Sequence, residues 1–361
     1  MAGGSSRFHQ AVQWIALLAL LCAGCGGGIT SAPPPPPPPP PGGGPFSAQP
    51  INDLGAGTYL GFTGGLYPNG SNAVPAAHNS AGLARANAVQ SLDTSGNPSP
   101  TGKIVLLSIG MSNTTQEFCS AGGGLPCNSW TFMGQAAADA GVNKTTLALV
   151  NGAAGGQVAT AWDSPVDSNY DRVRAILVQQ LLSEQQVQVV WVKVAQSTPT
   201  VSLPSAQSDA VSLLTAMGNI ARTLKGRYPN VRLVFFSSRI YGGYATTTLN
   251  PEPYAYESGF AVKWVVQAQI DQMANGGTVV DARAGDLNYN SAAPWIAWGP
   301  YLWANGLSLR SDGLMWQQAD MESDGTHPSQ SGEQKVGTLL LNFFKQSPYT
   351  KCWFVTGGAC P

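Results

Sequence analysis

The chain has 361 residues, of which 43% are apolar and 10% are charged, and its formal net charge is −1. This length is sufficient for one large domain or two small ones with a sizeable core. The near-zero charge and the absence of any basic run argue against a nucleic-acid partner. A polar but weakly charged composition is compatible with a protein that is exported from the cytoplasm.

The first 24 residues predict a signal peptide. Arg7 precedes an apolar run over residues 11–21, which is too short and wrongly flanked to be a stable transmembrane helix. The run ends in Cys22-Ala23-Gly24-Cys25, which resembles the lipobox of bacterial lipoproteins, with Cys25 as the residue that receives the lipid. Ordinary signal cleavage nearby is the alternative. We expect a bacterial lipoprotein, extracytoplasmic and anchored to a membrane through Cys25.

Residues 25–50 predict a linker, because they contain nine consecutive prolines followed by three glycines. Proline runs adopt a stiff extended helix of about 3.1 Å per residue, so this run spans roughly 28 Å. We interpret it as a stalk that holds a domain away from the membrane; a proline-rich ligand for another protein is the alternative. Residues 51–102 predict an irregular N-terminal extension with short strands, in which His78 is interpreted as a structural histidine.

From residue 103 onward, strand-like and helix-like segments alternate. Strands are predicted at 103–109, 145–151, 187–194, 231–237 and 277–281, and helices at 129–140, 168–186, 205–227, 254–275 and 329–346. This alternation predicts an α/β fold, a three-layer αβα sandwich with a parallel sheet of about five strands. Residues 51–361 would form this one domain, with its ligand site beyond the carboxyl ends of the strands.

A long segment over residues 282–320 interrupts the alternation and is rich in aromatic side chains. Loops of this length are usually functional or disordered, and so many aromatic residues argue against disorder. The aromatic residues either cap the core or line a groove that stacks on sugar rings. They are Trp295, Trp298, Tyr301, Trp303 and Trp316.

Four cysteines follow the signal peptide and the lipid acceptor, in two pairs whose members are eight residues apart. Export makes disulfides plausible, and local pairing is the simplest of the three connectivities. The predicted disulfides are Cys119–Cys127 and Cys352–Cys360. A metal site is the competing interpretation, but the mature chain has only two histidines and no Cys-x-x-Cys sequence. We expect no metal and no other cofactor.

Two separated motifs carry the candidate chemistry. The first predicted strand runs into Gly110-Met111-Ser112-Asn113, which is how a buried parallel strand delivers a serine to the carboxyl edge of a sheet. Ser112 alone could instead cap the next helix. Asp324 and His327 lie three residues apart before the last predicted helix, a spacing that places both on one face of a turn. An aspartate that orients a histidine, which in turn activates a serine, predicts nucleophilic catalysis.

These motifs resemble those of the SGNH (GDSL-type) hydrolase superfamily over roughly residues 100–347. Gly110–Asn113 is similar to the first block of sialate O-acetylesterase-like and xylan acetylesterase-like carbohydrate esterases, and Asp324–Pro328 is similar to the last block. The resemblance implies a flavodoxin-like fold and a catalytic triad of Ser112, His327 and Asp324. Residues 151–157 resemble the second block, which implies that Gly156, rather than Gly155, donates a backbone N–H to the oxyanion.

The third block departs from the family pattern, in which an Asn or Gln side chain supplies another oxyanion donor. Lys193 or Gln196 could take that role here. Lys193 could stabilise an oxyanion through its charge, or it could form a salt bridge with a structural carboxylate.

Together these observations predict a monomeric extracytoplasmic serine esterase. Its substrates would be small-molecule or glycan esters with short acyl groups, acetyl in the first place. One alternative is a lipase or thioesterase that uses the same site. The other is a glycan-binding surface lipoprotein without catalytic activity, which would retain the fold and the aromatic segment.

Overall fold

The structure is a computed structural model that describes residues 46–120, 122 and 124–359. The predicted signal peptide, the lipid acceptor Cys25 and most of the predicted linker lie outside the described residues, as does Cys360.

A five-stranded parallel sheet forms the centre of the domain. Two short strands in the N-terminal extension, β1 (Thr58–Tyr59) and β2 (Phe62–Thr63), pair separately as an antiparallel hairpin. The strands of the main sheet are β3 (Ile104–Gly110), β4 (Leu147–Asn151), β5 (Val187–Lys193), β6 (Leu233–Phe236) and β7 (Trp295–Trp298). Their spatial order is β4-β3-β5-β6-β7, and every neighbouring pair is parallel. Every residue of β3 and β5 is buried, as expected for central strands covered on both faces.

Helices flank the sheet and complete the predicted three-layer αβα sandwich. The helices are α1 (Ile51–Leu54), α2 (Ala76–Ala86), α3 (Ser112–Phe118), α4 (Phe132–Ala138), α5 (Ser168–Gln179), α6 (Asp209–Arg227), α7 (Tyr254–Ala274), α8 (Gln330–Gln346) and α9 (Lys351–Phe354). Helix α6 packs against α7, and α3 and α4 pack against α8. Within the described part of the chain, no helix is both long enough and apolar enough to cross a membrane.

Four predicted strands lie within two residues of the observed bounds, but the fifth was predicted in the wrong place. The segment 277–281 is not a strand: Gly276 and Gly277 form the turn that ends α7, and Val280 is 55% exposed. The fifth strand is β7, which lies within the aromatic segment 282–320. The segment 277–281 has only two large apolar residues, Val279 and Val280. Two valines supply too little apolar surface for a strand that is covered on both faces.

The aromatic residues of the segment 282–320 belong to the core. None of the five is more than 5% exposed, so they cap and fill the core, and two of them, Trp298 and Tyr301, also line a hollow of about 740 Å³ at the surface. His78 is buried on α2, where its Nε2 lies 2.9 Å from the carbonyl oxygen of Ile296 and its ring stacks on Trp295. Helix α2 itself was not predicted. It packs through small residues, and a Cβ on Gly82 would lie 2.4 Å from the Trp295 ring.

One predicted disulfide is present, between Cys119 and Cys127 in the loop that follows α3. Cys352 is also disulfide-bonded, and its predicted partner, Cys360, lies outside the described residues.

Candidate active site

The end of β3 places Ser112 at the carboxyl edge of the sheet. Gly110 is the last residue of the strand, and a Cβ there would lie 2.2 Å from the carbonyl oxygen of Lys193 on the adjacent strand β5. The chain therefore needs glycine for this close approach. Ser112 is half-buried and is the first residue of α3.

Ser112, His327 and Asp324 form a continuous chain of hydrogen bonds. His327 Nε2 lies 2.8 Å from Ser112 Oγ, and His327 Nδ1 lies 2.5 Å from Asp324 Oδ2. With the ring proton on Nδ1, which donates to the carboxylate, Nε2 is free to accept the serine proton. The arrangement can therefore convert the serine hydroxyl into a nucleophile.

Asp324 is held as a carboxylate by hydrogen bonds from the backbone of its own turn. Burial alone would raise the pKa of its carboxyl group, but the N–H groups of His327 and Thr326 donate to Oδ1 at 3.0 and 2.9 Å. Together with the imidazole these bonds hold the pKa of Asp324 below its ordinary value. An ionised carboxylate fixes the orientation of the ring and stabilises the imidazolium that forms during proton transfer.

The turn that carries Asp324 and His327 is fixed from two sides. Gly325 has a φ of +66°, and a Cβ there would lie 1.7 Å from the carbonyl oxygen of Tyr244. On the other side, the buried Asn113 donates from Nδ2 to the carbonyl oxygen of Thr326 at 2.9 Å. Because Asn113 immediately follows Ser112, this bond ties the start of α3 directly to the turn of the histidine.

A cavity of about 250 Å³ opens beside Ser112 and His327. Met111, Val158 and Leu249 form its apolar wall, and its polar lining includes Gln196, Arg239 and Asn250. A small substrate can therefore be held against the serine by both apolar and polar contacts.

Gly156 lines this cavity, whereas Gly155 lines a separate, larger hollow beside the disulfide loop. Gly156 has a φ of +75°, which favours glycine, and its N–H donates to no acceptor within residues 46–120, 122 and 124–359. Its position suits an oxyanion donor better than that of Gly155.

Lys193 does not line the cavity. Its side chain is fully buried, and its ammonium group forms an ion pair with both carboxylate oxygens of the equally buried Glu117. Burial lowers the pKa of Lys193 to about 8 and raises that of Glu117. This position corrects the prediction of Lys193 as an oxyanion donor and supports its structural alternative. Gln196, the other candidate for the third block, does line the cavity.

Sequence reasoning missed three polar residues of the site: Asn113, Arg239 and Asn250. Asn113 belongs to the serine motif, but nothing local to the sequence shows that its partner lies 213 residues away. Arg239 follows β6 at the carboxyl edge of the sheet, and this position after a strand is the one signal that could have identified it. No group of three or more His, Cys, Asp or Glu side chains among the described residues could hold a metal ion.

No protein-family model matches the chain, and no curated protein sequence matches it. Among solved structures, a Bacillus subtilis protein is similar at 12% identity and a TM-score of 0.35. The matched region covers 69% of this chain and 58% of that protein. An extracellular lipase from Streptomyces rimosus shows 14% identity and a TM-score of 0.29, over 66% of this chain and 97% of the lipase. A Corynascus thermopiles carbohydrate esterase of family 2 with a carbohydrate-binding domain shows 13% identity and a TM-score of 0.32, over 68% of this chain and 66% of the esterase chain.

The chain thus spans less than two thirds of the Bacillus subtilis protein. At such low identities and TM-scores, we base no functional argument on these similarities.

Proposed function

We propose that this protein is a serine esterase of the SGNH type that hydrolyses esters of short acyl groups. The observation that carries the proposal is the hydrogen-bonded chain from Ser112 through His327 to Asp324 at the mouth of a cavity. A serine that only capped a helix would not need a histidine on its hydroxyl and a carboxylate behind that histidine.

In the proposed mechanism, Ser112 Oγ attacks the carbonyl carbon of the ester while His327 Nε2 accepts its proton. The N–H groups of Ser112 and Gly156 donate to the oxyanion of the tetrahedral intermediate, and the Gln196 amide is the third donor. The proton then passes from His327 to the leaving alcohol, which leaves an acyl group on Ser112. Water, activated by the same histidine, releases the acid and restores the serine.

The size of the cavity supports a short acyl group. A volume of about 250 Å³ with an apolar wall holds an acetyl or similar group, whereas a long lipid chain needs more room. We therefore favour acetyl esters, including those carried by glycans, over the lipase and thioesterase alternatives. The intact chain from Ser112 through His327 to Asp324 favours an enzyme over the glycan-binding alternative, because binding alone does not need all three residues.

Steady-state hydrolysis of a series of 4-nitrophenyl esters tests the proposal. We expect kcat/KM to be highest for the acetate and to fall with chain length, because the cavity is small. Ser112→Ala and His327→Ala should each remove nearly all activity, and the double variant should lose no more, because the two residues act as a unit. Ser80→Ala, which removes an exposed serine on α2, serves as the control. Hydrolysis by Ser112→Ala at the parent rate would contradict the mechanism.

We further propose that the mature protein is a monomer that Cys25 anchors to a membrane on the extracytoplasmic side, with residues 25–50 as a stalk. The lipobox-like Cys22–Cys25 sequence and the nine prolines support this placement. Cys25→Ser should move the protein from the membrane fraction to the soluble fraction of expressing cells. An unchanged distribution would contradict the lipid anchor.

A further inference from the structure

Arg239 is a fully buried arginine whose guanidinium group lacks partners on one edge. It lines the cavity beside Ser112 and is 1% exposed. Its main chain is fixed by a hydrogen bond from its N–H to Ser258 Oγ at 3.0 Å. Its Nε and Nη2 atoms, however, are buried and form no hydrogen bond to any residue that the structure describes. Buried polar groups are nearly always paired, so two unpaired donors on one buried cation call for an explanation.

The two unpaired atoms are those that other arginines of this chain use to bind carboxylates. Arg283 donates from Nε and Nη2 to the two oxygens of Asp281 at 2.9 and 2.7 Å. Arg310 binds both oxygens of Asp312 through the same edge at 2.8 and 2.7 Å. This edge presents two parallel N–H groups that match the two oxygens of a carboxylate.

Within residues 46–120, 122 and 124–359, no carboxylate occupies this edge of Arg239. The acidic groups that influence its charge are Glu117, Glu252 and Asp324. Glu117 is paired with Lys193, and Asp324 with the catalytic histidine. Glu252 accepts hydrogen bonds from the N–H groups of Gly242, Tyr256 and the Trp303 indole. These groups balance the charge of Arg239 from a distance, and its hydrogen-bonding edge stays unpartnered.

We propose that a small rotation of the Arg239 side chain turns this edge into the cavity and that it binds a carboxylate of the substrate, so that the preferred substrates are esters with a carboxylate within a few bonds of the scissile carbonyl. This inference rests on the proposed esterase activity and specifies its substrate class. Asn250 adds a second element, because its Oδ1 is buried without a donor in the described part of the chain and the residue lines the same cavity. It would accept a hydrogen bond from a hydroxyl group next to that carboxylate, as in a hydroxy acid or an acidic sugar.

A pair of acetyl esters that differ only in charge tests the proposal. Acetoxyacetate carries a carboxylate close to its ester, and acetoxyacetamide is its neutral counterpart; each kcat/KM is divided by the rate of hydroxide-catalysed hydrolysis. We expect the parent to prefer acetoxyacetate at least tenfold, since hydrogen bonds between charged partners are the strong ones. Arg239→Gln should abolish the preference and Arg239→Lys should retain part of it. Arg283→Gln, at a half-exposed arginine, is the matched control and should keep the full preference.

A second measurement needs no variant at position 239, in case that substitution prevents folding. Free glucuronate should inhibit the hydrolysis of 4-nitrophenyl acetate at least tenfold more strongly than neutral glucuronamide does. Equal inhibition by the two compounds, or no preference of the parent for acetoxyacetate over acetoxyacetamide, would overturn the carboxylate proposal while leaving the esterase intact. Failure of the esterase proposal itself is distinct, because 4-nitrophenyl acetate would then not be hydrolysed at all.

Discussion

Replacing Lys193 with methionine should destabilise the protein and leave its chemistry largely intact. Lys193 and Glu117 are both completely buried and paired with each other, so the variant leaves a carboxylate in the interior without its partner. Breaking a buried ion pair costs about 3–5 kcal/mol. Protonation of Glu117, whose pKa burial already raises, and the nearby charge of Arg239 reduce that cost. We therefore expect a loss of about 3 kcal/mol in the free energy of unfolding.

Equilibrium unfolding in urea, together with kcat on 4-nitrophenyl acetate, measures both consequences of this change. Lys193→Met combined with Glu117→Leu should recover most of the stability, because replacing both partners with apolar groups is often neutral. Lys345→Met removes a partly exposed ion pair with Asp139 and should cost only about 0–1 kcal/mol. A 100-fold loss of kcat by Lys193→Met at unchanged unfolding free energy would refute this reasoning and assign Lys193 to the oxyanion.

Three further variants test the support of the site and the buried histidine. Asn113→Ala leaves the buried carbonyl of Thr326 without its donor and should cost about 1–3 kcal/mol of stability and lower kcat on 4-nitrophenyl acetate. Gly325→Ala places a Cβ against the Tyr244 carbonyl and should lower kcat strongly by displacing the turn of the histidine. His78→Gln removes a histidine whose pKa burial lowers to about 4, so the stability advantage of the parent over this variant should shrink by about 3 kcal/mol between pH 6.5 and pH 4.

The direction of the pH effect follows from proton binding. Below pH 6.5 the unfolded chain binds a proton at His78 that the folded protein excludes, so acid favours unfolding. The His78→Gln variant keeps a donor for the Ile296 carbonyl, so urea unfolding of parent and variant isolates the titration of His78, and a stability difference between them that does not change with pH would contradict the assignment. Gly313→Ala is the control for Gly325→Ala, because Gly313 also has a positive φ but open space around it; it should keep kcat. Full activity of Asn113→Ala would show that its bond does not position the histidine.

The parts of the fold that the sequence predicted well are those with strong local patterns. Strands β3 and β5 are continuous apolar runs rich in β-branched residues, and all their residues are buried. Strand β7 escaped prediction because its four residues, Trp295 to Trp298, stand alone between Pro294 and Gly299 in a segment of irregular structure, whereas the equally short β6 lies within the longer apolar run 231–237. Periodicity cannot distinguish so short a run from an aromatic loop.

In the candidate site too, residues in local motifs could be predicted, whereas residues defined by distant contacts could not. Ser112, Asp324 and His327 stand in recognisable motifs, so their proximity could be predicted before the fold was known. The environment of Lys193 could not, because its partner Glu117 lies 76 residues away and carries no local signal of pairing. Arg239 likewise reveals its role only through the cavity that it lines and the hydrogen bonds that it lacks.

The central claim is that Ser112 is an activated nucleophile, and covalent labelling with a fluorophosphonate tests it most directly. Intact mass and peptide mapping should show one adduct per chain, located on Ser112. Ser112→Ala should not react, and His327→Ala should react far more slowly, because the serine then lacks its base. A parent protein that shows no adduct under conditions in which a known serine esterase is fully labelled would contradict the account, as would an adduct at a different serine.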